Sequence, residues 1–225
     1  MLIEAYYIFA IVAVIGAAIG AYIDVKETWI PDSVNYFMIA FGLSGHALLS
    51  FITNNWSFMI YSVTAFTVFF IFGSTLYYIG GTGGGDAKLF AGLAALLATY
   101  PAQTVWPFVL TVFMNGLIIT AVVAAIILLH RFITKKGLTK HINPSKLMEG
   151  DWLTDEIHIG ELHYIPKRTG IDKYTIEKLI KLESEGKLAN VKIKVGFATG
   201  LYFLIGLLIS LLFGDLLTMG VSFLL

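Results

Sequence analysis

The sequence contains no cysteine. That absence excludes disulfide bonds and thiolate metal sites, and leaves the redox compartment open. Charge is scarce as well: 13% of the 225 residues are Asp, Glu, Lys or Arg, against about a quarter in soluble domains. The charges that remain cancel, 15 basic against 15 acidic, so net charge carries no argument for nucleic acid or an acidic partner. The first apolar segment opens with Glu4 and lacks a basic stretch before it. No small-residue cleavage site follows, so a retained helix is expected there and not a signal peptide. Internal repeats and low-complexity tracts are also missing.

What is present is apolar. Hydrophobic residues make up 57% of the chain and the mean hydropathy is +0.81, the composition of an integral membrane protein. A spanning helix needs about 20 mainly apolar residues. Ala5–Ile23 is long enough for one span. The charge-free run Ser33–Gly85 holds two, broken at "TNNWS" (53–57), and Leu89–Leu129 holds two, broken at "TYPAQ" (99–103). Val195–Gly214 makes one more. The expected fold is therefore an all-α membrane bundle of six helices, the fourth a short one over roughly 86–99.

Thirteen of the fifteen basic residues fall between Arg131 and Lys194. Basic loops stay in the cytoplasm, which would place both termini outside and put Asp24 and Asp86 on the cytoplasmic side. The domain reading is 1–130 for helices 1–5 with the active site, 131–194 for a soluble cytoplasmic insert, and 195–225 for the last helix. Inside the insert, "DKYTIEKLIKLESEGK" (172–187) has the period of an amphipathic helix stopped by Gly186. "EIHIGELHYI" (156–165) and "NVKIKV" (190–195) alternate like strands, so the insert is expected to be small and α+β.

One stretch breaks the longest uncharged run: "GGTGGGDAKLF" (80–90). It fails the phosphate-loop pattern, because Asp86 and Ala87 intervene before Lys88 and Leu89 follows it. It fails the dinucleotide pattern too, since Gly81-x-Gly83-x-x ends on Asp86. A second acid, Asp24, follows Gly16 and Gly20 at helical spacing, so all three share a face that can approach a neighbouring helix closely. Two carboxylates on one side of the membrane can share a proton, hold a water, deprotonate it and protonate a substrate carbonyl. That is aspartic-protease chemistry and needs no metal or other cofactor. The glycines Gly83, Gly84 and Gly85 are expected to free the backbone at Asp86, either as a hinge or as a tight turn, and the substrate-free protein could hold the two acids apart.

"IDVKETWIPD" (23–32) and "GGGDAKLFAGLAALL" (83–97) resemble the GxGD membrane aspartic peptidases, specifically the type 4 prepilin peptidase and archaeal preflagellin peptidase family. "LMEGDW" and "VKIKV" are similar to the archaeal members. The resemblance implies that Asp24 and Asp86 are catalytic and that Gly83, Gly84, Gly85 and Lys88 form the active-site loop. It also implies removal of a short basic leader from membrane-tethered pilin or archaellin precursors, at the cytoplasmic face of the cell membrane. The cysteine-rich segment of bacterial members is missing, and so is the proline expected near the start of the last span ("VGFATGLYF").

Other residues read more simply. Lys88 is either an interface anchor or a tuner of the site. Pro31 and Asp32 start the second span. His46 is a packed histidine, and His130, His141, His158 and His163 lack ligand-like spacing. Asp215 is an outer-interface residue. The rival readings are a proton-coupled transporter using paired acids, a presenilin-like protease and a non-catalytic scaffold.

Overall fold

The structure is a computed structural model and describes residues 2–27, 29–79, 82–101, 106–135, 137–159, 162–167, 170–194 and 199–224. The long helices are α1 (Leu2–Glu27), α2 (Asp32–Thr53), α3 (Ser57–Ile79) and α5 (Phe108–Ile133), with a shorter α4 (Gly84–Leu97) between the last two. A strand-bearing segment follows: β1 (Thr139–Ile142), β2 (Ile157–Ile159), β3 (Leu162–Tyr164), α6 (Lys173–Ser184) and β4 (Val191–Lys194). The chain then returns to the bundle as α7 (Thr199–Phe213) and α8 (Leu216–Leu224).

Among the described residues, α1, α2, α3 and α5 are long and apolar enough to cross a membrane, and α7 with α8 makes a fifth span if the bent pair counts as one. A sixth span is not confirmed among the described residues, because α4 is short. Its 14 residues rise only about 21 Å, against a hydrocarbon core of about 30 Å. Large apolar side chains project outward along α1 at helical spacing, Ile8, Ile11, Ile15 and Ile19 among them, as a lipid-facing stripe requires. The opposite face carries Ala13, Gly16, Ala17, Gly20 and Asp24, all buried.

Helix α4 is the central pillar. Eleven of its fourteen residues are buried, with α1, α2 and α3 around it. Its small residues, and glycines facing them, allow this enclosure. A Cβ at Gly42 of α2 would stand 2.7 Å from the Ala95 carbonyl carbon, and one at Gly73 of α3 would stand 2.8 Å from Ala87 Cα. Backbone thus meets backbone, the usual way helices associate where lipid removes the hydrophobic drive. Ser62 Oγ adds an interhelical bond by donating to the Ala95 carbonyl at 2.8 Å.

The last span is broken at Gly214 and Asp215, where α7 and α8 meet at 58°. A break in hydrocarbon leaves backbone groups to satisfy, and Asn115 of α5 satisfies them. Its Nδ2 donates to the Gly214 carbonyl at 2.8 Å and its Oδ1 accepts from Leu216 N at 3.1 Å. Asp215 is buried and accepts from Leu217 N and Thr218 Oγ1, so it caps α8.

In the strand-bearing segment, β1 pairs antiparallel with β4 from Thr139↔Lys194 to Ile142↔Val191, and β2 with β3 through Ile157↔Tyr164 and His158↔His163. Strand β1 was not foreseen. The expected amphipathic helix is α6, capped by Asp172, whose Oδ1 accepts from Thr175 N at 2.9 Å. Ile176 and Leu179 are buried with Leu147, Leu153, Ile157, Ile171 and Ile193, while Ile180 is exposed. Gly186 follows the helix with φ of +69°, the left-handed geometry that stops helices.

Candidate active site

Asp24 lies in the last turn of α1 and Asp86 in the first turn of α4. Both are nearly enclosed, at 6% and 7% exposure. A buried carboxylate needs donors, and both acids find theirs at the head of α7. Thr199 Oγ1 donates to Asp86 Oδ1 at 2.7 Å. The next residue, Gly200, donates its backbone N–H to Asp24 Oδ2 at 2.9 Å. The two oxygens are therefore no farther apart than two hydrogen bonds and one peptide link allow. Asp86 Oδ2 also accepts from Gly83 N at 3.1 Å, closing the start of α4 on itself.

Steric fit explains the glycines better than backbone freedom does. Gly83 has φ of −73° and ψ of 154°, a conformation open to any residue, and Gly84 and Gly85 are helical. None of the three has positive φ. Gly80 and Gly81 lie outside the described residues. At Gly85 a Cβ would stand 3.0 Å from Ile30 Cβ and 3.1 Å from the Ile30 carbonyl oxygen. The requirement there is close approach of the chain ahead of α2. Gly200 is constrained in the same way: a Cβ would stand 3.1 Å from Asp24 Oδ2 and 3.2 Å from Ile30 Cδ1. Ile30, itself buried, thus touches the surroundings of both acids. Asn35 of α2, fully buried, donates Nδ2 to the Gly85 carbonyl at 3.1 Å.

Lys88 does not join the acids. Its ammonium pairs with both oxygens of Asp32 at 2.6 and 2.7 Å and lies 5.3 Å over the Tyr36 ring. It ties α4 to the start of α2. The reason is angular: two residues on from Asp86, it projects from another side of the helix. His46 lies elsewhere in the bundle, stacked on Phe9 at 4.3 Å with Nε2 2.9 Å from Thr99 Oγ1.

Sequence reasoning missed Thr199, Gly200, Ile30 and Asn35. It looked for a proline near the start of the last span, found none in "VGFATGLYF", and left the contact with the site open. The contact exists without proline. A Thr-Gly pair at a helix start, beside an otherwise uninterrupted apolar run, was the available signal.

The geometry can serve general acid–base chemistry. Two carboxylates meet near one end of their helices, held by neutral donors, with no basic side chain touching either among the described residues. Comparison with known proteins identifies a peptidase family. The sequence pattern of the type IV leader peptidase family matches residues 11–129, which covers α4 and both acids. The chain is similar to preflagellin peptidases from Methanocaldococcus jannaschii, at 40% identity over 90 residues, and Methanococcus voltae, at 30% over 151 residues. A third, from Methanococcus maripaludis, is 29% identical over 119 residues. These alignments cover 40%, 61% and 48% of the present chain and 38%, 61% and 51% of the respective relatives.

Proposed function

Since the chain belongs to the type IV leader peptidase family, we propose that it is a membrane-embedded aspartic endopeptidase that removes the leader from archaellin-like or type IV pilin-like precursors. The observation that carries the reading is the convergence of Asp24 and Asp86 on two consecutive residues, Thr199 and Gly200. Neither acid has a structural ion-pair partner among the described residues, so charge balance does not explain their burial.

The reaction follows from the pair. A water held between the carboxylates gives its proton to the ionised member, and its oxygen attacks the scissile carbonyl carbon. The protonated member hydrogen-bonds the carbonyl oxygen as negative charge grows there. Collapse breaks the C–N bond, and the departing amine takes a proton from the dyad. One carboxylate is then ionised and one protonated again, so the dyad is restored. Two close acids that cannot both ionise easily are suited to this division of roles.

Thr199 Oγ1 and Gly200 N occupy one lone pair on each acid. A precursor must therefore enter beside the head of α7 or displace it. The basic segment after α5 is cytoplasmic by the charge rule, and it joins α7 at the acids, so cleavage takes place at the cytoplasmic face. Both acids lie near helix ends on one side of the bundle, which disfavours a midplane transport site.

The test is direct. Purified protein is incubated with membrane-reconstituted archaellin and pilin precursors, and products are weighed by mass spectrometry. Loss of the leader is expected from the native chain, with no product from Asp24→Asn or Asp86→Asn. Processing that survives either substitution refutes the dyad.

A further inference from the structure

The β2–β3 hairpin brings together three side chains that linear spacing does not associate. Strand alternation puts Glu156 and His158 on one face, and the register sets His163 directly opposite His158. The other face turns Ile157 and Tyr164 into the apolar core of the segment. Their partners on the outer face are both imidazoles, stacked with centroids 4.0 Å apart. One ligand atom from each of Glu156, His158 and His163 lies within 4.8 Å of the others, and all three side chains are exposed.

We propose that this hairpin face binds one zinc-class divalent ion through Glu156, His158 and His163. Imidazole nitrogen with carboxylate oxygen is a donor set for zinc and its borderline neighbours, whereas calcium and magnesium take oxygen ligands. Ligands about 2.1 Å from a tetrahedral zinc lie roughly 3.4 Å from one another. His158 Nε2 and Glu156 Oε2 are already 3.3 Å apart. The ligand atom of the exposed His163 lies within 4.8 Å of the other two, so it needs to approach by roughly 1 Å or a little more. The fourth position is left for water.

A cavity of about 290 Å³ adjoins the cluster, lined by Glu156, His158, Asp155, Asn190 and Lys192 among others. Two of the three ligands therefore border a recess that gives the ion access from the side of β4. The physical consequence is local. A two-stranded hairpin is marginal on its own, and an ion bridging both strands would hold it closed by mass action. This inference is independent of the proteolytic reading, because its readout is bound metal.

The full chain is purified in detergent through a tag without histidine, stripped with chelator and titrated with zinc chloride by calorimetry. Bound zinc is measured after gel filtration. One zinc per chain with a Kd below about 10 μM is expected. The His158→Ala, His163→Ala double variant should weaken binding at least about tenfold, and Glu156→Gln by a smaller factor. The exposed pair His130 and His141, changed together to alanine, is the control and should leave affinity unchanged. Zinc should also slow amide exchange over the hairpin in the native chain and not in the double histidine variant. No retained zinc in the native chain, or equal losses in both histidine pairs, overturns the proposal.

Discussion

Changing Thr199 to valine should slow leader cleavage without unfolding the protein. Valine exchanges the hydroxyl for a methyl of nearly the same size, so packing at the head of α7 is kept. What is lost is the donor 2.7 Å from Asp86 Oδ1. A hydrogen bond to a charged group contributes about 1.5–3 kcal/mol, and each 1.36 kcal/mol is tenfold in rate, so full loss corresponds to roughly 10- to 150-fold. Asp86 keeps the Gly83 N–H at 3.1 Å, and water can replace the missing hydroxyl, so the lower part of that range is expected. Thr199→Ser retains the donor and should stay within about threefold of the native rate. The assay is kcat/KM on a reconstituted precursor, with thermal unfolding in detergent as the control for stability. A native rate in the valine variant refutes the argument that α7 positions the acid. So does a serine variant that falls as far as valine, because packing would then be the cause.

Three further outcomes are expected. Gly42→Ala forces a methyl against the backbone of Ala95 and Leu96 at 2.7–2.9 Å and should lower unfolding stability by about 1–3 kcal/mol, read by chemical denaturation in micelles. Gly85→Ala should reduce activity by pressing on the Ile30 backbone, and Gly83→Ala should reduce it less, because its φ of −73° suits any residue but the new methyl would stand 3.3 Å from Asp86 Oδ2; parallel rate measurements on the two variants rank the two contacts. The Thr175 N–H and hydroxyl, helped by Lys167, hold the Asp172 carboxyl below the ordinary aspartate range. Its contribution to α6 is therefore complete above the unfolded-state pKa and is lost as pH falls through the lowered one. Amide exchange over α6 should accelerate across that acid window in the native chain, with a flatter response in Asp172→Asn.

The parts of the fold that were legible are those governed by one-dimensional periodicity. Apolar runs found the bundle helices, and the Gly16–Gly20–Asp24 stripe found a buried face because residues four apart share a side of a helix. The shortness of α4 was legible too, but its burial on all sides was not. Alanine and leucine look alike on a hydropathy scale whether they face lipid or other helices. The candidate acids stood out because charge is rare in this chain. Their donors did not, since Thr199 and Gly200 are 113 and 176 positions away from the acids they contact and are ordinary residues for a helix start. Glycine misled in one respect: Gly83 and Gly85 were expected to free the backbone, when both sit close to a neighbour, Asp86 Oδ2 and Ile30 respectively. His158 and His163 were set aside for lack of ligand-like spacing, because strand register, not linear spacing, makes them face one another.

Strands β1 and β4 pair with each other, so the chain leaves the bundle and comes back at nearly the same place. The segment between them is carried on α5 and α7 as a head is carried on two adjoining stalks. On the return side, β4 ends at Lys194 and α7 starts at Thr199, so four residues separate the head from the donors of both acids. A trans chain spans at most about 3.6 Å per residue, which makes that tether short. A displacement of the head would then reach the donors of both carboxylates together. The two buried acids and the strand-bearing segment are thus joined through one short connection.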